Sequence, residues 1–210
     1  MVRFLIFGIP VRVEPFFWIS LVLIGGIGSV NTPEAILRIA LFVMAGFISI
    51  LVHELGHALT ARKFGAYSEI TLQAFGGYAA YSGVRLSRLQ SFLVTAAGPV
   101  VQIILGLAVL LLPRMPEINH DARYFLYKLM EISIFWAVLN LLPIMPLDGG
   151  QMLNSILGPQ RIKITLWVTI IVAIGVALLM LSTGMGMIFP IFLGMFAWQA
   201  IQALKENHWR

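Results

Sequence analysis

The chain has 210 residues, of which 60% are hydrophobic and 11% are charged, and its mean hydropathy is +0.93. These values exclude a soluble globular surface and describe a polytopic membrane protein. The net charge of +5 does not indicate nucleic-acid binding, because the basic residues are scattered singly or in pairs beside apolar runs, where they fit a role in membrane orientation.

The N-terminal third predicts a short arm and two spans. Residues 1–15 contain short alternating apolar runs, which predict a strand or an amphipathic arm at the membrane interface. A rather short first span follows over 16–30, and we interpret it as retained and not as a signal peptide. Thr32 and Pro33 form a helix start, with Thr32 as the N-cap, and a second span is predicted over 33–63.

Five residues inside the second span, His53-Glu54-Leu55-Gly56-His57, have the spacing of a zinc site. On a helix the two histidines are one turn apart, so both imidazoles point the same way and the glutamate lies beside them. Two imidazoles and a third protein ligand hold Zn²⁺ with a water at the open position, and the glutamate can take that water's proton. The chain has no cysteines, so the third ligand has to be His, Asp or Glu. Buried histidines without a catalytic role are the weaker explanation, because ionisable groups inside a membrane helix are costly.

Small and polar residues recur at helical spacing along this span, and a third span predicted over 90–112 carries a similar face. Such faces allow two helices to approach closely, and Pro99 is expected to kink the third span. The first stripe comprises Gly46, Ser49, His53, Gly56 and Thr60, and the second comprises Thr95, Gly98, Gln102 and Gly106.

Residues 68–82 are too broken for a span and alternate in polarity, which predicts a β-hairpin with its turn at Gly76-Gly77. Non-helical backbone at membrane depth is tolerated only inside protein or beside a watery cavity, so we expect the hairpin to dip towards the metal; a plain surface hairpin is the alternative. An unwound substrate would pair with 69–75 or 78–82 as an added strand. The candidate substrate-binding residues are Thr71, Gln73, Phe75, Gly76 and Gly77.

The C-terminal half predicts three further spans, over 124–142, 164–182 and 187–204. Pro143 and Pro146 stop regular helix after the first of these, so the segment that follows is predicted to be kinked or unwound.

An aspartate in that segment is the leading candidate for the missing ligand. The distribution of Lys and Arg favours cytoplasmic termini, which places the inner end of the second span and Asp148 on the same side. A turn role would also explain Asp148, since Asp-Gly-Gly is turn chemistry, but a two-histidine site that lacks an oxygen ligand favours it as a zinc ligand. Asn140 is expected to cap or pack the helix, or to donate a hydrogen bond to a substrate carbonyl.

Together these motifs resemble the site-2 proteases, which are zinc metalloproteases that cut transmembrane substrates. The resemblance covers about 35–160 and rests on His-Glu-Leu-Gly-His at 53–57, Phe-Gly-Gly at 75–77, Ala-Gly-Pro at 97–99, and Asn140 with Pro-Leu-Asp-Gly-Gly at 146–150. It implies that His53, His57 and Asp148 are the ligands of one Zn²⁺ per chain. It also implies that Glu54 is the catalytic acid and base and that Asn140 assists at the scissile carbonyl. The layout is similar to the compact six-span prokaryotic and sporulation-type branch, from which we expect no PDZ or CBS domain.

The sequence therefore predicts an all-α polytopic membrane protein with about six transmembrane helices and a small membrane-associated β-hairpin. We expect a single integral-membrane metalloprotease domain over 1–210 with its catalytic core at about 35–160. The expected activity is that of an intramembrane zinc endopeptidase of the cell membrane that acts in regulated intramembrane proteolysis, with cytoplasmic termini and an active site nearer the cytoplasmic face.

The predicted partners are a transmembrane protein substrate and the lipid bilayer, with no nucleic acid; a regulatory membrane partner or a homo-oligomer is left open. Two other classes are alternatives. A zinc transporter needs a polar path that continues to the far side of the membrane, and a non-catalytic membrane binding protein is expected to lose Glu54 or a ligand.

Overall fold

The computed structural model describes residues 1–26, 32–111, 119–184 and 186–206, and most of these residues are helical. The strands are β1 (Val2–Ile6), β2 (Ile9–Val13), β3 (Tyr67–Gln73) and β4 (Gly76–Ser82). The helices are α1 (Pro15–Ile24), α2 (Pro33–Lys63), α3 (Arg88–Leu111), α4 (His120–Asn140), α5 (Asp148–Leu157), α6 (Ile162–Ser182) and α7 (Ile188–Lys205). The chain divides into two compact units, Met1–Arg85 with Ala97–Val138 and Leu86–Ala96 with Leu139–Arg210.

The first unit contains a four-stranded sheet in the order β1-β2-β3-β4. β1 and β2 form an antiparallel hairpin, β2 pairs with β3 in parallel, and β3 pairs with β4 as a second hairpin. The strand predicted as one alternative for 1–15 is thus present, but the sheet is larger than the single hairpin expected. The reason is the parallel pairing of 11–13 with 70–72, which joins segments far apart in sequence and leaves no local pattern.

One face of this sheet builds the core of the first unit. Alternate residues of β2 and β3 point to the same face, as the period of a strand requires. They pack against apolar residues of α1 and α2, and the burial of this surface stabilises the sheet on the two helices. The fully buried members of this cluster include Ile9, Val11, Val13, Phe17, Ile50, Ile70 and Leu72.

The hairpin predicted over 68–82 is present, but its turn lies at Ala74-Phe75 and not at Gly76-Gly77. Both glycines are in β4, where Gly76 pairs with Gln73. Phe75 takes the positive φ of 61° that the turn requires, and its N–H donates to Ser20 Oγ at 3.1 Å. The turn is therefore fixed to α1, and the glycines are in the strand for another reason, which the geometry around Glu54 supplies.

α2 begins and ends where the sequence predicts. Thr32 Oγ1 accepts a hydrogen bond from the Ala35 N–H at 3.2 Å, and Pro33 occupies the first turn, where its missing N–H costs nothing. α1 is much shorter, with 10 residues. The outer end of the predicted first span, 27–30, lies outside the described residues.

Among the described residues, four helices are long and apolar enough to cross a membrane: α2, α3, α6 with the short 3₁₀ turn before it, and α7. These helices support the predicted class, a helical membrane protein. By length and composition, the described helices do not reach the predicted count of six spans. α1 is too short, and α4 carries charged side chains among its first 12 residues. These are Asp121, Arg123, Lys128 and Glu131.

In the second unit, regular helix stops at Asn140, as the two prolines predict, and α5 begins at Asp148. Gly149 and Gly150 belong to the start of α5, so the turn that was the alternative explanation for Asp-Gly-Gly is not formed. A Cβ on Gly149 would lie 2.2 Å from the carbonyl oxygen of Leu141, so only glycine allows this backbone approach. At the other end of α5, the Arg88 guanidinium donates to the Ser155 carbonyl at 2.9 Å and to the carbonyl of Ile156, which satisfies the end of the helix.

Candidate metal centre

His53 and His57 lie one turn apart on α2, and both are buried. Their Nε2 atoms are 3.1 Å apart, and the two rings stand at 83° to one another. Two imidazole ligands at about 2.0–2.1 Å from one tetrahedral zinc would have nitrogen atoms about 3.3 Å apart. The separation of the two Nε2 atoms therefore fits one shared metal ion.

A hydrogen-bonded chain of buried polar side chains supports His53 from the side away from His57. His53 Nδ1 is 2.9 Å from Gln102 Oε1, and the Gln102 amide nitrogen donates to Ser49 Oγ at 2.8 Å. Ser133 Oγ, from α4, donates to Ser49 Oγ at 3.0 Å. Each of these side chains places a polar atom in an apolar interior, and the shared hydrogen bonds offset the cost of that burial.

Glycines on α2 and α3 let the two helices meet at the histidines. A Cβ on Gly56 would lie 2.6 Å from the carbonyl oxygen of Ala97, and a Cβ on Gly98 would lie 2.3 Å from Nε2 of His57. The close packing predicted between the small-residue stripes of these spans is thus confirmed at Gly56, Gly98 and Gln102. Gly46 and Gly106 serve other contacts, since Gly46 faces Leu21 and Gly106 faces Ile134.

The carboxylate of Glu54 meets the β-hairpin. Glu54 is buried, and a Cβ on Gly77 would lie 2.9 Å from its Cγ and 3.1 Å from its Oε1. Gly77 therefore sits in β4 because any side chain would collide with Glu54. The hairpin therefore reaches the side chain next to His53 and His57 in sequence, as the sequence predicts, and is not a plain surface hairpin.

The other two predicted site residues, Asn140 and Asp148, lie in the second unit. Asn140 is the last residue of α4 and is half-buried. Asp148 is the first residue of α5 and is buried, a position where the helix N-terminus favours a carboxylate. His53, His57 and Asp148 are each buried, and each offers one atom suited to a metal ion.

The candidate substrate-binding residues lie on an interior strand, in the turn that follows it and on an outer strand. Thr71 lies in β3, where residues 70–72 pair with β2 on one side and with β4 on the other. Strand addition at 70–72 would require displacement of β2 or β4, because the backbone of these residues is already paired with both strands. β4 is the edge strand of the sheet and lies next to Glu54, so addition of a substrate strand at 78–82 remains a proposal.

The sequence reading missed one part of the site, the role of Gln102 and Ser133. The sequence predicts Gln102 only as part of a packing face, whereas its side chain contacts a candidate ligand directly. A glutamine in the middle of an apolar span was the available signal, since a buried amide needs hydrogen-bond partners. Ser133 gives a weaker signal, because a serine in a membrane helix can bond to its own backbone.

Comparison with known proteins identifies the family. Residues 41–116 and 112–182 match peptidase family M50. The chain is 33% identical over 158 residues to a zinc metalloprotease of Methanocaldococcus jannaschii, which covers 75% of this chain and 45% of that protein. It is 32% identical over 155 residues to stage IV sporulation protein FB of Bacillus subtilis, which covers 72% of this chain and 49% of that protein.

These matches span about half the length of both relatives or slightly less. The solved structure of a site-2 protease from Methanocaldococcus jannaschii is similar over 96% of this chain and 94% of that chain, with a TM-score of 0.66 and 26% identity. The apolar helices agree with a membrane protein of this kind. The chain belongs to peptidase family M50, the site-2 protease family that its motifs resemble.

Proposed function

We propose that the chain is an intramembrane zinc endopeptidase that cleaves transmembrane segments of other membrane proteins. The observation that carries the proposal is the buried pair of histidine Nε2 atoms 3.1 Å apart, with Glu54 beside them, on a helix long enough to cross a membrane. Membership of peptidase family M50, and a relative named as a zinc metalloprotease, support the same activity.

One Zn²⁺ would be held by His53, His57 and Asp148. The donor set suits the ion, since two neutral imidazoles and one carboxylate leave a fourth tetrahedral position for water or substrate. The buried position of all three residues supports this assignment. When bound, Zn²⁺ polarises a carbonyl and lowers the pKa of a water towards about 7.

Glu54 and Asn140 would carry the proton and the hydrogen bond of the reaction. Glu54 accepts the proton of the attacking water and later returns it to the leaving amine. Its burial keeps bulk water away from the carboxylate. Asn140 donates a hydrogen bond to the scissile carbonyl, where negative charge develops during attack.

The substrate would be held as a strand on the open edge of β4. A transmembrane helix satisfies its own backbone groups, so a stretch has to unwind before cleavage, and the groups it exposes need partners. A strand paired with β4 would pass close to Glu54, because a Cβ on Gly77 of β4 would lie only 2.9 Å from Cγ of that side chain. Gly76 and Phe75 lie at the turn end of this edge, and Thr71 and Gln73 would contribute side chains only.

This edge can be tested by substituting proline, which removes a hydrogen-bond donor. A proline scan over 79–81 is expected to find at least one position that slows cleavage strongly while zinc content stays at the wild-type level. Proline at exposed Tyr67, at the far end of β3, is the control for general damage to the sheet. Normal cleavage by every folded variant in 79–81 would exclude strand addition.

We propose that both termini are cytoplasmic, with six crossings and with the site nearer the cytoplasmic face of the cell membrane. The excess of Lys and Arg on one side supports this orientation. Reporter fusions within 62–88, within 150–163 and at 210 are expected to report cytoplasm, and a fusion at 117 to report the opposite side. A cytoplasmic signal at 117 would overturn the assignment.

The central experiment separates binding of zinc from cleavage. Glu54→Gln keeps the three proposed ligands and loses the base, so zinc content is expected to stay at one per chain while cleavage of a co-expressed single-span membrane protein falls by at least about 100-fold. His57→Ala and Asp148→Ala are expected to lose both. Wild-type cleavage by Glu54→Gln would make the base assignment wrong, and full zinc retention in Asp148→Ala would move the third ligand elsewhere. Zinc bound at full stoichiometry without cleavage of any tested substrate would favour transport or binding.

A further inference from the structure

The hydrogen-bonded network behind His53 includes one atom that can only accept a hydrogen bond, the backbone carbonyl oxygen of Ser49. The Gln102 side-chain nitrogen lies 3.3 Å from the backbone carbonyl oxygen of Ser49. A carbonyl oxygen can only accept, so the atom of Gln102 that faces it has to be the NH₂ group. The same NH₂ group donates its other hydrogen to Ser49 Oγ at 2.8 Å.

This anchor settles the orientation of the Gln102 amide. The oxygen and nitrogen of a glutamine side chain are nearly the same size, and their assignment depends on the partners around them. With the nitrogen directed to Ser49, the oxygen is the atom 2.9 Å from Nδ1 of His53. Gln102 is completely buried, so water offers it no alternative partner.

The orientation of the amide in turn selects the tautomer of His53. An amide oxygen accepts and cannot donate, so the hydrogen between the two residues has to be on Nδ1 of the imidazole. A neutral imidazole carries one N–H, which leaves the lone pair on Nε2. Nε2 is the atom that faces His57 at 3.1 Å, on the side proposed for the metal.

We propose that Gln102 is a positioning residue that holds His53 in the tautomer and ring orientation needed to bind zinc through Nε2. This inference rests on the proposed zinc site and adds a residue outside the ligand set. Gln102 acts through His53 and does not touch substrate or the reacting atoms. Ser49 and Ser133 extend the support, because Ser133 fixes the hydroxyl to which Gln102 donates.

The first test measures zinc affinity and not cleavage. Gln102→Met keeps the volume of the side chain and removes its acceptor, so the zinc Kd, measured by competition with a chelator, is expected to weaken by about 10- to 100-fold. Gln102→Glu keeps an acceptor oxygen in either protonation state, and its zinc Kd is expected to stay closer to wild type than that of Gln102→Met. Ser133→Ala removes only the outermost link and is expected to have the smallest effect of the three.

If Gln102 only stabilised the fold, these variants would lose thermal stability, but their zinc affinities would not follow the order expected above. A Gln102→Met protein with wild-type zinc Kd would overturn the proposal, as would equal losses in Gln102→Met and Gln102→Glu.

The second test observes the tautomer in the wild-type chain and needs no variant of Gln102 to fold. Long-range ¹H–¹⁵N spectra of protein labelled at histidine, with the His53 signals identified from a His53→Ala sample, are expected to show the proton on Nδ1. A proton on Nε2 of His53 would make the inference wrong. Neither test depends on cleavage, so a chain that binds zinc with these properties and cleaves nothing would contradict the proposed function and leave the role of Gln102 intact.

Discussion

The two regions that supply the candidate site residues are held by different means. In the first unit, His53 is fixed within a long helix by a side-chain network that passes through Gln102 to Ser49. In the second unit, the chain around Asp148 is fixed by backbone, because Gly149 and Gly150 press against the carbonyl groups of the segment that precedes α5. The position of His53 depends on matched donors and acceptors, whereas the backbone around Asp148 depends on the absence of side chains at Gly149 and Gly150.

This difference predicts how each region responds to mutation. A side-chain network can be partly restored by another residue that offers the same acceptor. A backbone contact has no such replacement, since a carbonyl oxygen cannot move away without shifting the chain that carries it. Glycine substitutions therefore provide the sharpest way to separate the two regions.

The largest effect is expected from Gly149→Ala. Its Cβ would meet the carbonyl oxygens of Leu141 and Leu142 at 2.2 and 2.3 Å, so the segment before α5 has to shift. We expect a loss of stability of about 3 kcal/mol, at the upper end for overpacking, measured by unfolding in detergent. The matched control is Gly175→Ala in α6, where an added Cβ has open space. Equal stability of the two variants would show that the backbone contact does not hold this region.

A more selective effect is expected from Gly98→Ala. Its Cβ would lie 2.3 Å from His57 Nε2, and an imidazole can rotate where a backbone carbonyl cannot. We therefore expect zinc affinity to fall by about 100-fold or more, while the unfolding temperature changes less than in Gly149→Ala. Metal analysis and thermal unfolding of the same samples check both parts. Zinc retained at wild-type affinity would mean that His57 is not a ligand in the observed orientation.

The smallest of the three effects is expected from Gly77→Ala. Its Cβ would lie 2.9 Å from Cγ of Glu54, so the carboxylate has to move away from its observed position. Cleavage is expected to slow by roughly 10- to 100-fold, since displacing a catalytic group by about 1 Å can cost that much, while zinc content stays unchanged.

The control for Gly77→Ala is Gly194→Ala in α7, where an added Cβ has open space, and this variant is expected to cleave like wild type. Loss of zinc in Gly77→Ala would show that the hairpin positions the zinc ligands as well as Glu54.

The sequence predicts the elements that have strong local signals and the facing of the two histidines. The start of α2 followed from Thr32 and Pro33, and the facing histidines followed from the helical repeat. The break after Asn140 followed from the two prolines. Each of these features is determined by residues close together in sequence, so it can be predicted without knowledge of long-range contacts.

The turn between β3 and β4 shows what local sequence patterns do not determine, since it is predicted at Gly76-Gly77 and observed at Ala74-Phe75. Glycine serves turns that need a positive φ, and it also serves places where another group approaches the backbone. Gly77 has the second role, towards Glu54, and Phe75 takes the turn conformation instead. The parallel pairing of β2 with β3 and the hydrogen bond from His53 to Gln102 were hidden for the same reason, since each joins residues about 50 or more positions apart.

The length of α2 also constrains how this helix can lie in lipid. With 31 residues it is about 46 Å long, whereas the hydrocarbon layer of a bilayer is about 30 Å thick. About a third of an upright α2 would therefore lie outside the hydrocarbon layer. A helix of this length is expected to tilt in the membrane or to project beyond the layer at one end.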